Sequence, residues 1–240
     1  MLRLSESSPN AGSSLLKSHN IAFRKNWVLH LLIAIFVLYW LAMAIHPVDY
    51  RDFYLESALP FILIAVLAFL YRHFAFNNIS YILITVFFIL HLTGAHYAYE
   101  YSPVDFWFKG TFHSERGISD RLVHFAFGLL MVYPLEDMII RLMKTKWVWS
   151  YVITFSVIMA ASALFEILEM LVGLMANPQL AEQYLGLQGD VLDTQKDMMM
   201  SLCGAVIGIG CIAGYRYFKQ KDPSDDDGRE GHKGIRVRVR

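Results

Sequence analysis

Six stretches of roughly twenty mostly apolar residues recur along the chain, near 27 to 45, 53 to 71, 79 to 98, 119 to 140, 147 to 173 and 197 to 218. A helix rises about 1.5 Å per residue, so each stretch reaches across a hydrocarbon core of about 30 Å. Inside lipid only a helix or a closed barrel leaves no backbone group unbonded. The pattern therefore predicts an all-α membrane protein, a six-transmembrane-helix bundle. A mean hydropathy of +0.40 with only 18% charged residues agrees.

Lys and Arg total 21, as do Asp and Glu, so bulk electrostatics names no nucleic-acid partner and the placement of charge matters more than its sum. Lys17, Arg24, Lys25, Arg72, Arg141, Lys144, Lys146, Arg216, Lys219 and Lys221 fall on one side of the expected spans. Only Arg51, Lys109, Arg116, Arg121 and Lys196 fall on the other. The positive-inside rule then predicts both termini in the cytoplasm and the longer loops outside. Arg24 and Lys25 ahead of an apolar run ending in Ala42-Met43-Ala44 also fit a cleavable signal, but the run is too long and too aromatic, and its retention is expected.

Residues 1–26 and the charged stretch 219–240 lack apolar periodicity and read as flexible cytoplasmic extensions of one membrane domain, 27–218. Cys203 and Cys211 are about 12 Å apart along a helix, too far to pair. Gly204-xxx-Gly208 and Gly210-xxx-Gly214 predict close helix packing in the last span, and the small residues of "AASA" at 160–163 do so in the fifth. Near the inner end of the fourth span, Glu136 and Asp137 are both expected to pair with Arg141.

Ionisable residues gather at one depth. His96 ends the third span; Asp120, Arg121 and His124 open the fourth; Glu166 and Glu169 approach the outer end of the fifth; Asp190, Asp193 and Asp197 lead into the sixth behind a Gly189 turn. Asp120 and His124 are i,i+4, and Glu166 and Glu169 are i,i+3, so each pair shares a helix face. A charge at membrane depth costs at least about 2.5 kcal/mol, so such groups face the bundle interior and mark function. Six carboxylates against Arg121 and Lys196 leave acid in excess, which calls for shared protons, water or a bound cation. A plainer alternative has Asp120 capping the fourth span, Arg121 pairing with Glu169 or Asp190, and Asp193 or Asp197 capping the sixth. His91, mid-span, reads as a hydrogen-bonded packing histidine. The aromatic set Tyr97, Tyr99, Tyr101, Phe106, Trp107 and Phe108 reads as an interfacial belt.

The blocks "HYAY" at 96–99, "SDRLVHFAFG" at 119–128, "FEILEM" at 165–170 and "QGDVLDTQKDM" at 188–198 resemble the bacterial inner-membrane family of YjdF. The last three spans also resemble VanZ-like membrane proteins, associated with glycopeptide-antibiotic resistance. Asp120, Arg121, His124 and Phe125 fit that group's first block, Glu166 its second, and Asp197 with Gly204 and Gly208 its third. Glu169 stands where that pattern has an amide and Ser201 where it has Asn. The resemblance implies a multi-pass protein of the inner membrane, and supplies no reaction.

The site residues point first to an outward-facing pocket in the lipid bilayer acting on a lipid-linked or small amphiphilic substrate, with a divalent cation as cofactor. In a metal-dependent hydrolase of this kind His124, Asp190 and Asp193 would be the metal ligands, Glu166 or Glu169 the general base, and Arg121 the stabiliser of a phosphate or oxyanion. His96, Asp120 and Asp197 would complete the wall. A proton- or cation-coupled carrier, and a non-catalytic assembly factor whose charges only fix helix register, are the alternatives.

Overall fold

The computed structural model describes residues 15–19, 21–175 and 190–221. Residues 1–14 and 222–240 of the expected tails 1–26 and 219–240, and the Gly189 turn, lie outside them. The described residues fold into helices: α1 Trp27–Met43, α2 Tyr50–Leu70, α3 Asn78–His96, α4 Pro103–Phe112, α5 Ser119–Met143, α6 Trp147–Met175 and α7 Asp193–Lys221. Five of these, α2, α3, α5, α6 and α7, are long and apolar enough to cross a membrane. The first apolar block forms a shorter helix, α1, of 17 residues.

Each early helix opens on a side chain that receives backbone N–H groups left without an intrahelical partner. Asn26 receives Leu29 N at 3.3 Å, Asp49 receives Arg51 N at 2.7 Å and Asp52 N at 3.1 Å, and Asn77 receives Ser80 N at 2.9 Å. The short helix α4 was not expected from the apolar pattern. It starts on a capping box in which Ser102 and Asp105 satisfy each other's backbone, with Pro103 in its first turn.

α5 and α7 lie side by side and run in the same direction, because the head of α5 meets the head of α7 while Glu136 further along α5 meets Arg216 further along α7. Glycine makes that approach close. A Cβ on Gly128 would sit 2.9 Å from both the Ala205 nitrogen and the Ser201 carbonyl carbon, and one on Gly204 would sit 2.8 Å from Leu129 N. Gly208 packs on Leu129 and Val132, whereas Gly210 and Gly214 meet nothing within 4 Å. The first small-residue pattern is thus used inside the chain and the second is not.

α6 covers the pair, joined to it by the Ser162 hydroxyl, which donates to Ser201 Oγ at 3.0 Å. Buried Val132, Ile158 and Ala205 fill the centre where the three helices meet. Phe36, Phe53, Phe87, Phe88 and Leu92 fill the other half of the bundle, between α1, α2 and α3. Away from the acidic end, Asp137 pairs with Arg141 at 3.5 Å as expected, but Glu136 does not. It faces α6 and α7, accepting from Arg216 Nη1 at 2.5 Å, Arg216 Nη2 at 2.8 Å and Ser150 Oγ at 3.0 Å. Neighbouring residues on a helix point about 100° apart, so one arginine could not serve both acids.

Candidate functional site

The residue that organises the acidic end sits in a loop. Arg116 lies just ahead of α5 and is only 7% exposed. Its guanidinium faces Asp120 at 3.3 Å, Asp197 at 3.8 Å, Asp190 at 3.9 Å and the carboxylate of Asp193. Burial draws the Arg116 pKa down from its usual value while Asp120 and Asp197 pull against that shift. At any ordinary pH the group stays a cation.

Asp105 fixes this loop. It is fully buried, and its carboxylate receives Ile118 N at 2.7 Å, Ser119 N at 2.8 Å, Ser119 Oγ at 2.7 Å, Ser102 Oγ at 2.6 Å and Ser102 N at 3.1 Å. Helix α5 has no side-chain cap of its own, so a carboxylate from the neighbouring helix α4 caps it, not Asp120. Burial pushes the Asp105 pKa up, but the hydrogen bonds from Ser102, Ser119 and Ile118 outweigh it and hold the group below its ordinary value. A Cβ on Gly117 would sit 2.8 Å from Asp105 Cγ, so a larger residue there would displace the clasp.

Around Arg116 the expected residues gather. One carboxylate oxygen from each of Asp120, Asp193 and Asp197 lies within 4.8 Å of the other two. Asp193 and Asp197 are each 2% exposed, and Asp197 Oδ1 has no hydrogen-bond partner. His124 Nε2 stands 3.3 Å from Glu166 Oε1 and 3.6 Å from Asp120 Oδ1. Glu166 also lies close to Thr194 and Glu169. The heads of the parallel helices α5 and α7 both point here, and each N-terminus carries roughly half a positive charge that offsets part of the acid excess.

Asp190 stands at the rim, where Lys196 Nζ donates to it at 2.6 Å and Arg121 Nη2 at 2.7 Å. The Lys196 hydrogen bond, joined by that of Arg121, brings its pKa down to about 2. It also receives Leu192 N at 3.1 Å, so Asp190 rather than Asp193 or Asp197 satisfies the backbone ahead of α7. The tight carboxylate group is consequently Asp120, Asp193 and Asp197. His124 sits beside it with Glu166, and Asp190 is engaged by two cations. Arg121 pairs with Asp190, as the plainer alternative had it.

His96 is placed elsewhere: its Nδ1 lies 2.7 Å from the Met43 carbonyl and its own carbonyl receives Val48 N at 3.0 Å, which ties α3 to the end of α1. A second polar group lies instead at Glu56, His91 and Tyr99. His91 Nε2 is 3.0 Å from the Glu56 carbonyl oxygen and its Nδ1 is 2.9 Å from the Tyr99 hydroxyl, so both ring nitrogens are engaged. Burial first, and then Glu56, raises the Tyr99 pKa well above its ordinary value. Phe165 stands between the two histidines, its ring centroid 6.4 Å from that of His91 and 5.8 Å from that of His124.

Residues 28–220 match the model of the family described as "Predicted membrane protein (DUF2238)". The chain belongs to this family. A curated relative, the "Inner membrane protein YjdF" of Escherichia coli (strain K12), is 31% identical over 144 residues, which is 59% of this chain and 68% of that protein. No solved structure matches. The family match takes in every residue from Glu56 to Asp197, so the polar groups belong to the shared membrane domain rather than to an appendage.

Sequence reasoning passed over three residues here. Arg116 reads in the sequence only as a loop charge, and Glu56 and Asp105 do not stand out there. Only Asp105 left a readable signal, the Ser-Pro-x-Asp capping pattern at 102–105.

Proposed function

We propose that the chain crosses the inner membrane six times with both termini in the cytoplasm, and that its acidic end faces the cell envelope, where it binds one divalent cation and acts on a lipid-linked or other amphiphilic substrate. The observation that carries this reading is the Asp120, Asp193 and Asp197 group, in which Asp197 Oδ1 is buried and without a hydrogen-bond partner. A buried carboxylate oxygen without a partner costs on the order of several kcal/mol, which a coordinated cation removes. An all-oxygen set suits Mg²⁺, Ca²⁺ or Mn²⁺, and His124 at its edge adds a nitrogen donor that favours Mn²⁺ over the other two. Arg116 is the built-in counter-ion that holds the carboxylates together when the cation is away.

In the hydrolytic form of this reading the cation supplies Lewis acidity at a phosphate or carbonyl oxygen. Glu166, next to His124 and Glu169, takes the proton of the attacking water. Arg121 and Lys196 sit at the exposed rim, with 26% and 39% of their side chains accessible, where a phosphate headgroup would arrive.

Titration of the purified full chain with Mn²⁺, followed by electron paramagnetic resonance and calorimetry, tests the cation. One site per chain is expected, weakened at least about tenfold in Asp197→Asn and in Asp193→Asn. Absence of binding to Mg²⁺, Ca²⁺, Mn²⁺ and Zn²⁺ at millimolar concentration, in protein that melts cooperatively, refutes it. One observation favours a proton-coupled carrier as a second reading: buried Glu166 lies 3.3 Å from the His124 ring nitrogen, a pair of groups that can exchange a proton. Should alanine at Asp193 and Asp197 lower only the amount of folded protein, the charges serve assembly alone.

A further inference from the structure

The buried face of α6 carries a hydroxyl or carboxyl group at almost every turn. Ser150, Thr154, Ile158, Ser162 and Glu166 recur at intervals of four and are all buried. From Ser150 to Glu166 the stripe rises about 24 Å, most of a hydrocarbon core of about 30 Å.

Both ends of the stripe are charged. At one end Ser150 Oγ donates to Glu136, which is held by Arg216, whose guanidinium also donates to the Tyr151 hydroxyl at 3.0 Å. At the other end Ser162 donates to Ser201, Ser201 reaches the His124 carbonyl at 3.1 Å, and the His124 ring faces Glu166. Between them Thr154 is fully buried and its Oγ1 has no hydrogen-bond partner. Hydroxyls are rarely left in that state in a dry interior, where an orphan costs about 1 to 3 kcal/mol. Above Thr154 a single apolar turn interrupts the stripe: Ile158, with Val132 from α5 and Ala205 from α7, all fully buried.

We infer that this stripe is a proton pathway joining the acidic end, through Ser201 and Ser162, to the Glu136 and Arg216 pair, and that Ile158 is its plug. A proton enters from water at the acidic end and is taken up by the Ser201 and Ser162 hydroxyls. Each hydroxyl or water accepts a proton on one lone pair and passes its own hydrogen onward, and Glu136 receives the last one and releases it to water on the Arg216 side, so one proton enters, one leaves and nothing is consumed. The gap from Thr154 to Ser162 is about 12 Å along the axis, so transfer across it needs a few waters, with Thr154 Oγ1 as their anchor. The pathway does not depend on a cation at Asp120, Asp193 and Asp197, and loss of Mn²⁺ binding would leave it standing.

The full chain reconstituted in vesicles of phosphatidylethanolamine and phosphatidylglycerol, loaded with a pH-sensitive dye and polarised with potassium and valinomycin, gives the test. Wild type is expected to carry protons at least about threefold faster than protein-free vesicles. Thr154→Val, which keeps the shape and removes the hydroxyl, abolishes that excess, and Thr154→Ser retains it. Ile158→Ser raises the rate about tenfold or more without releasing a trapped anionic dye, and Val132→Ser does the same from the neighbouring helix. A wild-type rate equal to that of empty vesicles, a Thr154→Val rate equal to wild type, or a rise that comes with dye release overturns the inference.

Discussion

Gly128→Ala is a small change whose cost the structure lets one work out. The added Cβ would lie 2.9 Å from Ala205 N and from the Ser201 carbonyl carbon, and nearer still to the Ser201 oxygen. Carbon normally packs about 3.5 to 4.0 Å from such atoms, and these are backbone atoms that no rotamer change can move. The whole of α7 must therefore shift by on the order of 1 Å. Overpacking of this kind costs about 1 to 3 kcal/mol, while the better helix propensity of Ala returns up to about 1 kcal/mol. For a chain of this size each kcal/mol moves the melting temperature by roughly 2 to 4 °C, so a net cost centred on about 1.5 kcal/mol gives a fall of about 3 to 6 °C in detergent-purified protein followed by intrinsic fluorescence. Gly210→Ala is the internal reference, since its Cβ meets nothing within 4 Å, and should leave the midpoint unchanged or slightly raised. The displacement also separates Asp120 from Asp193 and Asp197, so cation affinity should fall with stability. Equal melting of the two variants would show that α5 and α7 do not approach through Gly128, and would remove the basis for the site's compactness.

Glu136→Gln should destabilise the chain by about 2 kcal/mol through loss of the charge-assisted bonds from Arg216. Arg216→Met should do likewise, and denaturation of the double variant should show less than the sum of the two, because both remove one interaction. Asp105 sets an acid limit on the 102–119 loop. Its folded pKa lies below the ordinary value of 3.8, so its stabilising contribution is complete above that value and is lost as pH falls through the lower folded one. Hydrogen exchange of Ile118 and Ser119 should accelerate beyond the intrinsic rate as pH falls further below 3.8, and in Asp105→Asn it should already be fast at pH 6. Ser102→Ala removes one of these bonds and the α4 cap, and should give a loss of about 1 kcal/mol measured by thermal melting.

The apolar helices were legible because lipid imposes one length on every crossing, so Tyr50–Leu70 and Trp147–Met175 begin and end within a few residues of their expected bounds. The approach of Asp120, His124, Glu166, Asp193 and Asp197 to one another was legible too, since the expected topology puts their helix ends on one side. Arg116 was not, because a loop has no periodicity: its position depends on Asp105 holding the backbone at Ile118 and Ser119, a contact between helices that no local pattern encodes. Glu56 was hidden for the opposite reason. An acid in the second turn of a helix is ordinary in sequence, and only the packing of α2 on α3 shows that it lies against His91. Arg116 adds a third cation to the Arg121 and Lys196 that the sequence set against the carboxylates.

Because α5 and α7 run parallel, the chain must make the whole of α6 before they can meet. The His124 carbonyl and the Ser201 hydroxyl that bonds to it are 77 residues apart. At a translation rate of about 5 to 20 residues per second, the head of α5 waits roughly 4 to 15 seconds in or beside the membrane before the carboxylates of α7 emerge. Arg116 and Asp120 can neutralise each other during that interval. The order of synthesis thus matches the order of charge compensation, and a ribosome stalled before Asp193 would release a half-built bundle whose buried polar groups mark it for degradation.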